Sequence, residues 1–255
     1  MPRFYLPPDQ CREEALFLTG REAHHALRVL RLQQGDRVTV SNGAGTQFLC
    51  ALEQYDRDKV KLGVLEKISV PPPPYRITLL QALPKGKMFE SIVQKATELG
   101  VFRIVPLLSE RAVAAQLDQK EVQQKAEKWR LVAIEAIKQC GSAWVPEIET
   151  PVTPKQFLDR KEKFELPLIA SLQSDSRHPR EFFRAFQSEH GCRPGSVCIW
   201  VGPEGDFTVE EVASVASAGA SASRQPSPCS ALPGTSSGRR GAAPRPCTTP
   251  PPCGP

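Results

Sequence analysis

Hydrophobic positions recur along this chain with two different periods, and the period changes once. Over residues 36–70 apolar and polar positions alternate. The stretch "DRVTVSNGAGTQFLCALEQY" runs through Val38 and Val40, turns at Asn42-Gly43 and resumes at Phe48, and "DKVKLGVLEKI" alternates again through Val60, Leu62 and Val64. Alternation of this kind predicts half-buried strands joined by a hairpin. With one short helix around His24, residues 1–70 read as a small, mostly β module. Pro71 to Pro74 are consecutive, so 71–75 is expected to be a stiff linker and a domain boundary.

From Arg76 onward, short apolar runs alternate with stretches of helical period. The runs "RITLLQAL", "VFRIVPLL", "LPLIASL" and "SVCIWV" predict buried strands. Between them, "KMFESIVQKATELG" gathers Phe89, Ile92, Val93 and Ala96 on one side and has Gly100 past its end. Residues from about 119 to 140 make a long helix around Val122, Ala126, Trp129, Ala133 and Ile137, with Trp129 in the core. "PREFFRAFQSEH" and "TVEEVASVASAG" predict two more helices. Strand-helix alternation over 76–220 predicts an α/β domain, a parallel sheet covered by helices on both faces.

Composition changes the picture at the carboxyl end. Residues 221–255 hold nine Pro and six Ser, no aromatic and no acid, with Leu232 as their one large aliphatic residue. Such a stretch buries too little apolar surface to offset its ordering entropy and is expected to be disordered. It also carries Arg224, Arg239, Arg240 and Arg245, which account for most of the net charge of +5. The rest of the chain is nearly neutral, so any basic footprint must be local. Cys11, Cys50, Cys140, Cys192 and Cys198 are scattered without C-x-x-C spacing, which argues against a zinc site or a disulfide framework. No signal segment or membrane-length apolar run is visible. A cytoplasmic location, or an organellar stroma or matrix, is expected, with no membrane partner and no metal.

Candidate chemistry concentrates in loops. Gly202-Pro203-Glu204-Gly205 follows "SVCIWV", where a parallel strand would reach the carboxyl edge of its sheet, the edge at which open α/β sheets bind ligands. The glycines permit a sharp turn with uncovered N–H groups, and Thr208 with Glu211 fits a capping box for the next helix. The spacing is neither a Walker loop nor a G-x-G-x-x-G fingerprint, so an ordinary turn and a ligand floor both remain open. His24, Arg28 and Arg31, at i, i+4 and i+7, would share one helix face, either a phosphate-binding stripe or a solvated surface. Lys85-Gly86-Lys87 could meet phosphate at a helix N-terminus or be a surface turn. Glu98 reads as a packing or salt-bridge residue.

Several motifs together resemble a known family. "RFYLPP", "HHALRVLRLQQGD", "QKATELGV", "PLLSER", "KQCG" followed by "VPEI", and "VGPEGDFTVEEV" occur here in the order found in the 16S ribosomal RNA uridine-N3 methyltransferases, a branch of the SPOUT superfamily, over residues 1–220. The resemblance implies a PUA-like RNA-binding β-barrel followed by a trefoil-knotted methyltransferase domain and homodimerisation. It also implies methylation of uridine N3 in small-subunit rRNA with S-adenosylmethionine. On that reading Val201, Gly202, Pro203, Glu204 and Gly205 cradle the cofactor with Ser171 and Leu172, and Arg111 donates hydrogen bonds to uracil oxygens or the RNA backbone. Arg3, His24, Arg28, Arg31 and Lys85 contact RNA.

The chain departs from the family pattern in three places. Asp206 stands where a second glycine is usual, Ser142 where an arginine follows Gln-Cys-Gly, and after Gly219 the expected Leu-Arg-x-Glu-Thr-Ala helix is missing. On the sequence the final knot segment is therefore absent, and a non-catalytic rRNA-binding protein is the rival reading. Residues 221–255 have the composition of GC-rich coding DNA read out of frame, and one back-translation of Gly234 to Arg240 reads Tyr-Leu-Val-Arg-Ala-Glu in another frame. Resequencing the gene is expected to reveal a lost frame near Ala220; an intact frame with no alternative Leu-Arg-x-Glu would refute this.

Overall fold

In the computed structural model, residues 1–11, 15–111, 118–171, 176–203 and 206–224 are described. The alternation of the first seventy residues becomes one sheet. Strands β1 (Arg3–Tyr5), β2 (Ala15–Thr19), β3 (Arg37–Ser41), β4 (Thr46–Tyr55) and β5 (Lys59–Ser69) lie in the order β1-β3-β4-β5-β2. β1 pairs parallel with β3, and the other pairs are antiparallel. Register shifts between Leu49 and Cys50 and between Leu52 and Gln54 bend β4 against β5 and curl the sheet. Because β1 and β2 remain edge strands, the expected barrel is a half-barrel, filled by Phe4, Leu16, Leu18, Val38, Val40 and Leu62, each fully buried. The hairpin at Asn42 uses a four-residue loop whose Asn42 Oδ1 accepts from the N–H groups of Ala44 and Thr46, both at 2.9 Å. Gly43 and Gly45 take φ of 69° and 88° there.

The short helix differs from expectation. α1 (Gly20–His24) runs into a π-helical turn at His25–Val29, and Arg31 lies beyond it with φ of 54°. The wider π turn breaks the 3.6-residue register on which the His24/Arg28/Arg31 stripe rested. All three side chains are exposed, but they do not share one regular helix face.

By packing, the chain divides into two compact units. One comprises Met1–Pro73, Lys85–Ile104 and Gln116–Thr150; the other comprises Pro74–Pro84, Val105–Ala115 and Pro151–Pro255. The first crossing falls inside the proline linker, but two helices group with the half-barrel instead of with the second unit. These are α2 (Met88–Glu98) and α3 (Gln119–Cys140). They pack together through Phe89 and Trp129, whose ring centres are 4.4 Å apart, so Trp129 is core as expected. α3 opens with a reciprocal cap between Asp118 and Glu121 and closes at Gly141, which has φ of 80°. Lys138, nearly buried, bridges Glu22 at 2.8 Å and Glu135 at 3.0 Å. Glu98 accepts from Lys95 and Gln94, which holds its carboxyl below the usual carboxylate range.

The α/β pattern becomes a six-stranded sheet in the order β11-β9-β10-β6-β7-β8. Its strands are β6 (Arg76–Ala82), β7 (Arg103–Leu107), β8 (Glu147–Ile148), β9 (Leu166–Ser171), β10 (Ser196–Val201) and β11 (Ser221–Arg224), with helices α4 (Pro154–Leu158), α5 (Pro179–His190) and α6 (Val209–Ser217). The registers of β6, β9, β10 and β11 are parallel. Alternate residues of β10 serve opposite faces. Cys198 and Trp200 join Phe157 of α4 and Val215 of α6, whereas Val197 joins Phe182 of α5.

β11 corrects the reading of the tail, because residues 221–224 lie inside the sheet. Ser221, Ala222 and Ser223 are small and give little hydrophobic signal. The strand forms through main-chain pairing with β9, and Ser223 Oγ donates to Ile169 O at 3.2 Å. Residues 225–255 lie outside the described residues. Among the described residues no helix is long and apolar enough to cross a membrane.

Two thiols of the half-barrel report on its core. Burial, then the charge of Asp9, pushes Cys11 from 9.0 to about 11; burial, then Cys11, pushes Cys50 to about 12. The folded chain thus holds protons that the unfolded chain releases above the ordinary thiol pKa. Stability is expected to be complete below that pKa and to fall as pH rises through it toward the folded values. Urea midpoints measured at about pH 8 and about pH 10 check this, and Cys50→Ala should flatten the decline.

Candidate active site at the carboxyl edge of the sheet

Parallel register brings the ends of β9, β10 and β6 together: Val201 sits opposite Gln81, and Trp200 lies between Leu80 and Ile169. Ser171 ends β9 and Val201 ends β10, so these expected cofactor residues fall on adjacent strand ends. Gly202 and Pro203 follow, half-buried; Leu172, Glu204 and Gly205 lie outside the described residues. Gly202 is tightly wrapped. A Cβ there would come within 2.9 Å of Asp206 Oδ1 and 3.1 Å of Phe207 N. Asp206 N in turn donates to Pro203 O at 2.9 Å.

Asp206 adopts φ of 61°, a left-handed conformation that glycine takes freely and aspartate tolerates. Its Oδ1 accepts from Phe207 N at 2.8 Å. The departure from the usual second glycine is thus accommodated by one of the few side chains suited to that backbone. Phe207 is buried against Trp200, ring centres 6.5 Å apart, and fixes the far end of the loop to the core.

The capping box of α6 does more than expected. Thr208 Oγ1 accepts from Glu211 N at 3.2 Å, and Glu211 Oε2 accepts from Thr208 N at 3.0 Å. Glu211 Oε1 also accepts from Glu110 N at 3.1 Å, in the loop that follows β7. One carboxylate therefore ties the loop carrying Arg111 to the loop carrying Gly202. Arg111 itself is exposed and makes an interaction within the protein. Just before it, Ser109 is 1% exposed, and its hydroxyl has no hydrogen-bond partner among the described residues. Sequence reasoning did not single out Ser109, although "PLLSER" contains it. A buried orphan hydroxyl is a property of the fold, with no sequence signature.

The other expected residues are placed as follows. Arg3 donates from Nη1 to Gln139 O at 3.1 Å and lies over Gly141, so it serves the C-terminus of α3. Lys85 is exposed in the turn between β6 and α2 and also has a partner within the protein. Ser142, where an arginine is usual, closes a small turn with Trp144, donating to its carbonyl at 3.0 Å and accepting from its N–H at 3.1 Å.

A parallel sheet with a wrapped glycine turn at its carboxyl edge, carried with a curled β module, is the architecture of a SPOUT-type RNA methyltransferase with a PUA-like domain. Residues 71–224 match the family described as RNA methyltransferase domain, and residues 18–65 match the RNA methyltransferase PUA domain. The chain is 32% identical over 216 residues to a ribosomal RNA small subunit methyltransferase E of Bacillus subtilis, covering 83% of this chain and 84% of that protein. With its counterpart from Mycobacterium tuberculosis it shares 30% over 207 residues, 80% of this chain and 76% of that one. A Neisseria gonorrhoeae ribosomal RNA small subunit methyltransferase E bound to S-adenosylmethionine superposes with a TM-score of 0.75 at 26% identity over 89% of each chain. A Legionella pneumophila structure, described as a methyltransferase with the cofactor bound, reaches 0.77 at 30% identity over 89% of this chain and 90% of that one. The chain belongs to the family of ribosomal RNA small subunit methyltransferases E.

Two substitutions test the loop. Gly202→Ala forces its methyl group into Asp206 and Phe207 and is expected to cost about 1–3 kcal/mol of stability. Asp206→Val, a branched residue at positive φ, should cost about 1–2 kcal/mol, whereas Asp206→Gly should change stability by less than about 0.5 kcal/mol. Thermal unfolding of the three variants measures both.

Proposed function

We propose that the chain is built to methylate N3 of a uridine in small-subunit rRNA, using S-adenosylmethionine, as a homodimer, and that its altered carboxyl end withholds this activity. The observation that carries the proposal is the meeting, in one family fold, of the β9 and β10 ends at the Gly202 turn, with the Ser109 hydroxyl buried after β7 and without a partner among the described residues. The residues present fit the cofactor. A side-chain-free turn leaves main-chain N–H groups for an adenosyl moiety, and Ser109 is a buried donor in want of an acceptor. Ser171, Val201, Gly202 and Pro203 would hold the cofactor, together with Leu172, Glu204 and Gly205. The bound cofactor supplies an electrophilic methyl group on a sulfonium.

The protein must do the rest. Uridine N3 is a weakly acidic imide on the Watson–Crick edge, so the base has to be unpaired before it can react. As the N3 proton leaves, charge spreads onto the flanking oxygens, and hydrogen-bond donors aimed there lower the barrier. Arg111 is assigned this role. The Glu211 carboxylate holds its loop against the cofactor loop, so donor and acceptor are aligned by one side chain. Arg3, His24, Arg28, Arg31 and Lys85 are assigned to the RNA backbone, with Arg3 also committed to α3.

Mass spectrometry of rRNA incubated with the chain and S-adenosylmethionine tests the reading. Methyl transfer to uridine is expected from a version with the family's Leu-Arg-x-Glu segment restored after Gly219, and little or none from the chain as it stands. Equal activity of the two would show that the replaced segment is dispensable. Calorimetry that detects no S-adenosylmethionine binding to either version, with rRNA still bound, would favour the non-catalytic reading instead.

A further inference from the structure

Within the α/β unit, a cleft of about 540 Å³ opens at the amino ends of β6 and β10, the edge opposite the one bearing Gly202. Its wall is one face of α5: Arg180, Phe183, Arg184 and Gln187 follow each other at i, i+3, i+4 and i+7. α5 is oriented by Phe182, which is buried with Leu166, Leu168 and Val197, so the neighbouring face is turned along the sheet edge. Arg193 and Pro194 close the cleft from the loop before β10, and Tyr75, 46% exposed, stands at its mouth.

The charges are unbalanced. Three arginines line the cleft and no acid does. The guanidinium groups of Arg180, Arg184 and Arg193 make no ion pair or hydrogen bond among the described residues; the one bond of Arg180 is from its backbone N–H to His178. Glu165, whose carboxylate reaches the end of this loop, is taken up by the N–H groups of Gly195 and Ser196. Three like charges held together without partners repel one another, and arginine clustering of this kind suits the bidentate binding of phosphate. The accompanying aromatic rings, Tyr75 and Phe183, offer flat faces of the kind on which unpaired bases stack.

We infer that this cleft docks a single-stranded segment of RNA, its phosphates on Arg180, Arg184 and Arg193 and a base against Tyr75. The inference deepens the reading of the chain as an rRNA methyltransferase: it gives the substrate a second hold on the methyltransferase unit, across the sheet from the reaction site. An RNA strand is favoured over a lone nucleotide because the three cations lie on two separate elements, a spread suited to successive phosphates.

The test is fluorescence anisotropy of a labelled single-stranded oligouridine over a range of salt concentrations. The triple variant R180Q/R184Q/R193Q is expected to bind about tenfold more weakly, with the slope of log K against log salt reduced by about 2. Arg184→Lys, which keeps the charge, should preserve the slope. Tyr75→Ala, at an exposed position, should weaken binding about tenfold with the slope unchanged. Affinity and slope unchanged in the triple variant would overturn the inference, as would uridine monophosphate displacing the RNA at equal nucleotide concentration. Calorimetry with S-adenosylmethionine on the same variants reads the cofactor site separately. Lost RNA binding with cofactor binding intact supports the cleft even if methyl transfer fails, so the two readings fall independently.

Discussion

A single carboxylate organises the carboxyl edge of the sheet. Glu211 receives Thr208 N on one oxygen and Glu110 N on the other, so the start of α6 and the loop after β7 share one anchor. A carboxylate accepting two backbone N–H groups is a strong and directional contact, because both donors point at fixed positions. The Gly202 turn lies between that anchor and the Trp200–Phe207 contact and is therefore held at both ends.

The parallel sheet supplies the second level of order. β10 runs between β9 and β6, strands distant in sequence whose ends become neighbours only through the ladder. Opposite edges of the same sheet carry opposite chemistry. At the carboxyl edge stand glycine, a serine hydroxyl and backbone donors. At the amino edge stand three arginines whose guanidinium groups have no partner among the described residues, a set suited to phosphate.

Local structure also explains residues that depart from the family pattern. Asp206 takes the left-handed backbone of a usual glycine and secures it with its own carboxylate; Ser142 closes a turn with Trp144. Small and polar, both meet local backbone needs, so the surrounding chain keeps its course. Ser221 to Arg224 make the same point at the sheet edge, where a strand without large apolar residues forms because β9 offers a row of main-chain donors and acceptors.

Sequence alone determined whatever depends on short-range periodicity and backbone preference. The strands from Arg37 to Ser69, helix α3 from Gln119 to Cys140, the core place of Trp129, the cap at Thr208 and Gly100 past the end of α2 were all legible, because each is set by neighbours within a few turns. Tertiary structure decided the rest. It replaced the regular helix after His24 with a π turn, gave Arg3 to the end of α3, grouped α2 and α3 with the half-barrel, and drew Ser221 into the sheet. It also left Ser109 without a partner among the described residues and gathered three arginines around one cleft. These outcomes depend on which distant groups meet, and hydrogen bonds and unpaired charges exist only between groups that do.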